Sequence, residues 1–157
     1  DDVGRLIGIP EERVAAYSER IFELQRRRWE VEPFPGIVQV FSQLATEHVL
    51  GVITASQGEA VMATLREFGL GSAISRVMGG ETGTSKAERI ALAQSLYSTG
   101  PEDTFMTGDA ISDIREGRKA GVRTVAVSWG FQNRDLLARE DPDFLIDAPE
   151  ELLSVVG

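Results

Sequence analysis

The sequence of 157 residues has no cysteine and a single histidine, His48. The first absence excludes disulfides, Cys-ligated zinc, iron–sulfur clusters and every thiol nucleophile. The second excludes His-cluster metal sites and leaves a serine-hydrolase triad only if His48 is its base. His48 stands just before an apolar run rather than after it, which reads as a structural position. Long hydrophobic runs are missing too: nothing approaches the roughly 20 apolar residues of a membrane helix. The opening Asp1-Asp2-Val3-Gly4 lacks the basic start of a secretory signal. These absences predict a soluble, cytoplasmic protein with no membrane partner. Positive charge is in deficit, with 16 Lys+Arg against 25 Asp+Glu and a net charge of −9. An acidic chain of this kind predicts no nucleic-acid partner, because phosphate backbones bind clustered cations. Its only basic run, Arg26-Arg27-Arg28, falls in a helical pattern and reads as a solvated face.

What is present suffices for one domain. A chain near 150 residues buries roughly 68–70% of its unfolded surface, and 42% hydrophobic residues can fill such a core. Pro10-Glu11-Glu12 reads as a helix start. Val14, Tyr17, Ile21 and Leu24 then recur at helical spacing, which predicts one long amphipathic helix ending near Trp29. The segment Val31–Gly36, VEPFPG, breaks it and reads as a linker or hinge.

Beyond Gly36 the texture changes. An amphipathic helix (Ile37, Val40, Phe41, Leu44) is followed by the continuous apolar run Val49–Ile53, which suits a parallel strand covered on both faces. Helices are predicted near 59–68, 86–97, 111–120 and 133–139, and from Pro149. Strands are predicted near 76–78, 104–107, 123–127 and 144–146. This alternation defines an α/β fold with a mostly parallel sheet and flanking helices.

Ligands of such sheets bind beyond the carboxyl ends of the strands, so the residues just after each strand carry the functional information. The first strand is followed by Thr54-Ala55-Ser56, the second by a Gly/Thr/Ser loop leading into Lys86, the third by Gly108-Asp109 and then Asp113. Two carboxylates four positions apart at a helix start suit Mg²⁺, which keeps several waters and takes only one or two carboxylates. The plain alternative is that Asp109 or Ser112 merely caps the helix. Thr54 could donate to a phosphoryl oxygen or simply be a strand residue. Lys86 opens a helix, where the dipole disfavours a cation, and could instead cancel phosphate charge.

Taken in order, Thr54 closing an apolar strand, Lys86 opening a helix and GDxxxD at Gly108–Asp113 resemble the second, third and fourth motifs of the haloacid dehalogenase superfamily. The texture is closest to its phosphoglycolate-phosphatase-like branch. Similarity extends to IPEERVAAYSERI and PFPGI, which resemble the end of a helical cap and the return to the core, and to AGVRTVAVSWGF and DPDFLIDAPEELL, which resemble the closing strands. The resemblance implies a Rossmann-like core over residues 34–157 and a partial helical cap over residues 1–33. It also implies phosphoryl transfer through an aspartyl-phosphate on a small phosphorylated substrate. Thr54 and Lys86 would be catalytic and would bind the phosphoryl group, Ser56 would contact substrate, and Asp109 and Asp113 would serve Mg²⁺. Ala55 departs from the asparagine often found after the Thr.

A larger departure concerns the family's first motif, DxDGT, which supplies the nucleophile and the general acid/base and which does not occur in this sequence. The expectation is a truncated core lacking its first, central strand, with two strands each left an unpaired edge, inactive unless another chain or segment completes the sheet. A catalytically dead pseudoenzyme or interaction module keeping the fold is the alternative. A P-loop is excluded because Ser85, not glycine, precedes Lys86 and Ala87 follows it. A phospho-receiver domain is disfavoured because the strand before Thr54 carries no acids. Trp129 after a strand reads as core or rim packing.

Overall fold

The computed structural model describes Pro10, Arg13, Ala16 and residues 32–157. The chain divides into two units, Asp1–Glu32 and Pro33–Gly157. In the first, Arg13 and Ala16 are helical and the Arg13 amide donates to the Pro10 carbonyl at 2.8 Å. The remainder of the long helix expected to end near Trp29, and of the cap, lies outside the described residues.

In the second unit, helix α1 (Ile37–Leu44) buries Val40 and Leu44. They join Val125, Val127, Ile146 and Leu152 in the main core cluster, with Ile37 and Phe41 packed against it. Strand β1 (Leu50–Ile53), helix α2 (Gly58–Glu67) and strand β2 (Ile74–Met78) follow, and β1 pairs with β2 in parallel. Then come helix α3 (Lys86–Tyr97), strand β3 (Phe105–Gly108), helix α4 (Ile111–Lys119) and strand β4 (Arg123–Val127). Helix α5 (Arg134–Ala138), strand β5 (Phe144–Ile146) and helix α6 (Leu152–Val155) complete the chain. α2 and α4 stop where expected, because Gly69 and Gly121 adopt left-handed φ of 77° and 74° just past them, a conformation that other residues reach only with strain.

The strands form two parallel sheets, β1-β2 and β3-β4-β5. Phe105 through Gly108 stand opposite Arg123 through Ala126, and Val125 through Val127 opposite Phe144 through Ile146. Central strand β4 is buried from Thr124 to Val127, as a strand covered on both faces should be. β1 departs from that expectation: Val49, just before it, is 53% exposed and Gly51 is exposed. The physical reason is the edge, since among the described residues β1 hydrogen-bonds only to β2, and β3 only to β4. Helices bridge the two sheets. α3 packs on β1 and on α4, and α4 packs on β3 and β4.

Among the described residues no buried side-chain polar atom lacks a hydrogen-bond partner. The amide and hydroxyl of buried Thr124 both donate to Asp143 Oδ2 at 2.7 Å, and the Asp143 amide donates back to Thr124 Oγ1 at 3.0 Å. The Thr124 hydroxyl and amide hold the Asp143 carboxyl below its ordinary range. Among the described residues no helix is long and apolar enough to cross a membrane.

Candidate functional site

Three strand ends and one helix start supply the expected polar groups. Thr54 directly follows β1, and its amide donates to the Met78 carbonyl at 3.0 Å, extending the β1-β2 ladder by one bond. Its Oγ1 accepts from the Ser56 amide at 3.1 Å, so the hydroxyl proton stays available for another acceptor. The Ser56 carbonyl accepts from the Gly80 amide at 2.9 Å, which ties the turn after β1 to the loop after β2. In that loop Glu81 Oε2 accepts from the Gly58 amide at 3.1 Å, covering an open N–H at the start of α2. Backbone hydrogen bonds, from its own amide and that of Gly58, hold the Glu81 carboxyl below the usual range.

Lys86 stands first in α3, an unfavourable end of the dipole for a cation, and the structure accounts for it. Ser85 caps the helix and forms a reciprocal box with Glu88, its amide donating to Glu88 Oε2 at 2.7 Å. Glu116 Oε2 accepts from the Ala87 amide at 3.0 Å. Two carboxylates therefore serve the positive helix end. Lys86 Nζ itself donates to Asp113 Oδ1 in α4, with the two side chains 24% and 9% exposed. Partial burial screens this pair less than a surface pair.

Asp113 Oδ2 accepts from the Ala110 amide at 3.2 Å, so both of its oxygens are engaged. Asp109 Oδ2 accepts from the Phe131 amide at 2.8 Å, and the Asp109 carbonyl accepts from the Gln132 amide at 3.1 Å. Gln132 Oε1 in turn accepts from the Ile111 amide at 2.5 Å. The loop after β4 thus grips Asp109 from both sides, and Gly130 makes that approach possible. A Cβ there would sit 2.2 Å from Asp109 Cβ and Oδ2, far inside contact distance. Asp109 also borders a cavity of about 360 Å³ lined mainly by Phe34, Ile37, Phe41, Val127, Trp129 and Leu152. Phe34 and Trp129 face each other across 5.8 Å, so Trp129 forms part of the rim.

Lys86 and Asp113 are thus in direct contact, and Thr54 and Ser56 share one turn. No hydrogen bond among the described residues joins Thr54 or Ser56 to Lys86, Asp109 or Asp113. The connection runs through Arg89, which the sequence pattern does not flag: Arg89 Nη1 donates to the Thr54 carbonyl at 2.7 Å and Nε donates to the Ser85 carbonyl at 3.3 Å. No group of three or more His, Cys, Asp or Glu side chains among the described residues could hold a metal. Asp109 nevertheless leaves Oδ1 unused, and one carboxylate oxygen plus waters fits what Mg²⁺ accepts.

Comparison with known proteins assigns the family and the fold. The family model described as haloacid dehalogenase-like hydrolase matches residues 5–127, and the chain belongs to that family. A phosphoglycolate phosphatase from Synechococcus elongatus is 34% identical over 126 residues, 78% of this chain and 58% of its own length. The pyrophosphatase PpaX of Halalkalibacterium halodurans is 28% identical over 131 residues, 81% of this chain and 61% of its own. The chain therefore spans about three-fifths of the length of these curated relatives. Among solved structures, a predicted phosphatase from Clostridium acetobutylicum superposes with a TM-score of 0.86 at 18% identity, covering 99% of this chain and 74% of that one. A haloacid dehalogenase-like family protein from Streptococcus pneumoniae gives 0.85 at 19%, covering 99% and 75%. At that identity the likeness carries the fold.

Proposed function

We propose that this chain carries the phosphate-binding and metal-binding half of a Mg²⁺-dependent phosphatase acting on a small phosphorylated metabolite. The observation that supports it most is the Lys86–Asp113 ion pair between α3 and α4, with Asp113 four residues after Asp109 at the end of β3. The Thr54 hydroxyl donates to a phosphoryl oxygen, Lys86 neutralises phosphate charge, and Ser56 contacts the substrate. Asp113 holds the Lys86 ammonium in place and, with both oxygens engaged, would support a Mg²⁺ site through water or by orienting nearby groups rather than as a direct ligand. Asp109 would hold Mg²⁺ through its unused Oδ1, and the ion would supply further neutralisation of the phosphoryl oxygens. Preorganised charge of this kind is commonly the largest catalytic term.

The covalent step needs a carboxylate free to attack phosphorus. Asp113 is engaged at both oxygens, and the one free oxygen of Asp109, whose Oδ2 accepts from the Phe131 amide, is assigned to Mg²⁺ in this reading, so neither is assigned the attack. In our reading the nucleophile arrives on a further parallel strand, from another segment or chain, seated between the unpaired edges of β1 and β3. Alone, this chain is then inactive in turnover while still binding phosphate and Mg²⁺. The names of its relatives suggest phosphoglycolate and pyrophosphate as first substrates to test. The same engaged acids favour a second reading, a pseudoenzyme or interaction module that keeps the fold without turnover. A cytoplasmic location is part of the same proposal, and cell fractionation tests it.

Calorimetric titration of Mg²⁺ into the chain, against Asp109→Asn and Asp113→Asn, tests the metal half of this proposal. Binding that weakens at least about tenfold in Asp109→Asn, the loss of one charged ligand, supports it; equal binding in all three proteins refutes it.

A further inference from the structure

Arg89, the fourth residue of α3, is 6% exposed. Its Nη1 donates to three main-chain carbonyls, those of Thr54 at 2.7 Å, Met78 at 3.0 Å and Gly79 at 3.1 Å. Its Nε donates to a fourth, that of Ser85. These carbonyls come from the ends of β1 and β2 and from the cap of α3. Arg89 forms no direct ion pair with a carboxylate among the described residues, so its hydrogen bonds all go to backbone carbonyls, while its charge also helps to hold the Glu81 carboxyl low. Removing a guanidinium from water is costly unless its hydrogen bonds are replaced, and an apolar side chain would fasten a helix to a sheet at less cost. What the guanidinium adds is direction: a rigid planar fork whose donors hold acceptors at set positions. Lys86 lies three residues earlier in the same helix, on the adjoining face.

We propose that Arg89 is a positioning residue that sets the Lys86 ammonium at its working distance from the Thr54 hydroxyl, by locking the first turn of α3 onto the ends of β1 and β2. The inference rests on the phosphate-site reading above. It also assigns a second effect to the same contacts. Strand-end carbonyls present negative dipole ends where an anion is to bind, and the guanidinium occupies three of them. Without Arg89, Thr54 and Lys86 remain but no longer converge.

Inorganic phosphate titrated into the 157-residue chain, followed by amide NMR shifts, tests this with Lys86→Met, Arg89→Gln, Arg89→Lys and the double variant Lys86→Met/Arg89→Gln. Arg89→Gln is expected to weaken phosphate binding about tenfold, the worth of one misaligned charge-assisted hydrogen bond. The double variant should bind no worse than Lys86→Met, because Arg89 acts through Lys86. Arg89→Lys should recover melting temperature but not affinity, since one ammonium cannot span three segments. Wild-type affinity in folded Arg89→Gln, alongside lost affinity in Lys86→Met, overturns the proposal and leaves the site reading intact. Equal affinity in wild type and Lys86→Met overturns both. Should the Arg89 variants not fold, wild-type exchange decides: Arg89 Nη–H protons protected relative to those of exposed Arg123 uphold the clamp, and equal exchange overturns it.

Discussion

Lys86 Nζ on α3 donates directly to Asp113 Oδ1 on α4, with the aspartate 9% and the lysine 24% exposed. One contact accounts for two oddities of the sequence, a cation at a helix start and a second acid after GD. It also joins the helix that covers β1 to the helix that covers β3 and β4. Removing one partner strands the other charge in a partly dry place. Asp113→Ala is therefore expected to destabilise the chain by about 1–3 kcal/mol, read from urea denaturation at neutral pH, whereas Asp113→Asn should cost less because it keeps an acceptor for the Ala110 amide. Equal stability in Asp113→Ala and wild type contradicts this role.

Gly130 offers a steric test of the loop that grips Asp109. A methyl group there would lie 2.2 Å from the Asp109 side chain, so Gly130→Ala must displace either the loop or the carboxylate. We expect a loss of about 1–3 kcal/mol from overpacking and weaker Mg²⁺ binding in calorimetry, with phosphate binding at Thr54 and Lys86 affected less. Unchanged metal binding in Gly130→Ala would show that the grip on Asp109 is irrelevant to the metal.

Acid should unfold the chain through specific carboxylates. Asp143 is held low first by the Thr124 hydroxyl, Asp147 by the Ser128 hydroxyl, Glu140 by the Arg115 guanidinium and Glu88 by the Ser85 amide. A group whose folded pKa is depressed stabilises fully above its unfolded pKa, near 4 for these acids, and loses that contribution as pH falls through the folded value. Chemical-denaturation midpoints should hence be flat from neutrality to about pH 5 and fall below pH 4. Asp143→Asn, which removes the partly buried member, should flatten part of that fall. A midpoint that rises on acidification would reverse the sign and contradict the assignments.

Much of this was legible in the linear pattern, and the reasons are local. Apolar runs, helical spacing and the two left-handed glycines after α2 and α4 mark elements to within a residue or two, as for α3, which spans Lys86–Tyr97 as expected. The final helix is the loosest match, since a short 3₁₀ turn, Pro149–Glu151, precedes α6. Which residues follow which strand is equally readable: Thr54 directly follows β1 and Asp109 directly follows β3. What spacing cannot carry is contact between distant segments. Arg89 reads as one more charged residue on an amphipathic helix, yet it is buried against carbonyls 10, 11 and 35 positions away. The Gln132 bond to the Ile111 amide and the Glu81 bond to Gly58 likewise depend on how loops fold back.

Unpaired strand edges predict self-association. β1 and β3 each present a row of backbone donors and acceptors with no strand partner among the described residues, which templates edge-to-edge pairing. Light scattering at rising concentration should detect association, and Thr107→Lys, placing a charge on exposed Thr107 of β3, should suppress it. Association that Thr107→Lys leaves untouched would point to another surface.

Whether this chain holds the phosphate and metal half of a phosphatase site is decided by phosphate release from phosphoglycolate and pyrophosphate with Mg²⁺, by the 157-residue chain alone and mixed with a separately produced segment carrying an Asp-bearing parallel strand. The chain alone should release no phosphate, and the mixture should release phosphate in a manner lost in Lys86→Met and Asp109→Asn. Robust, Asp109-dependent turnover by the unaided chain would contradict that reading.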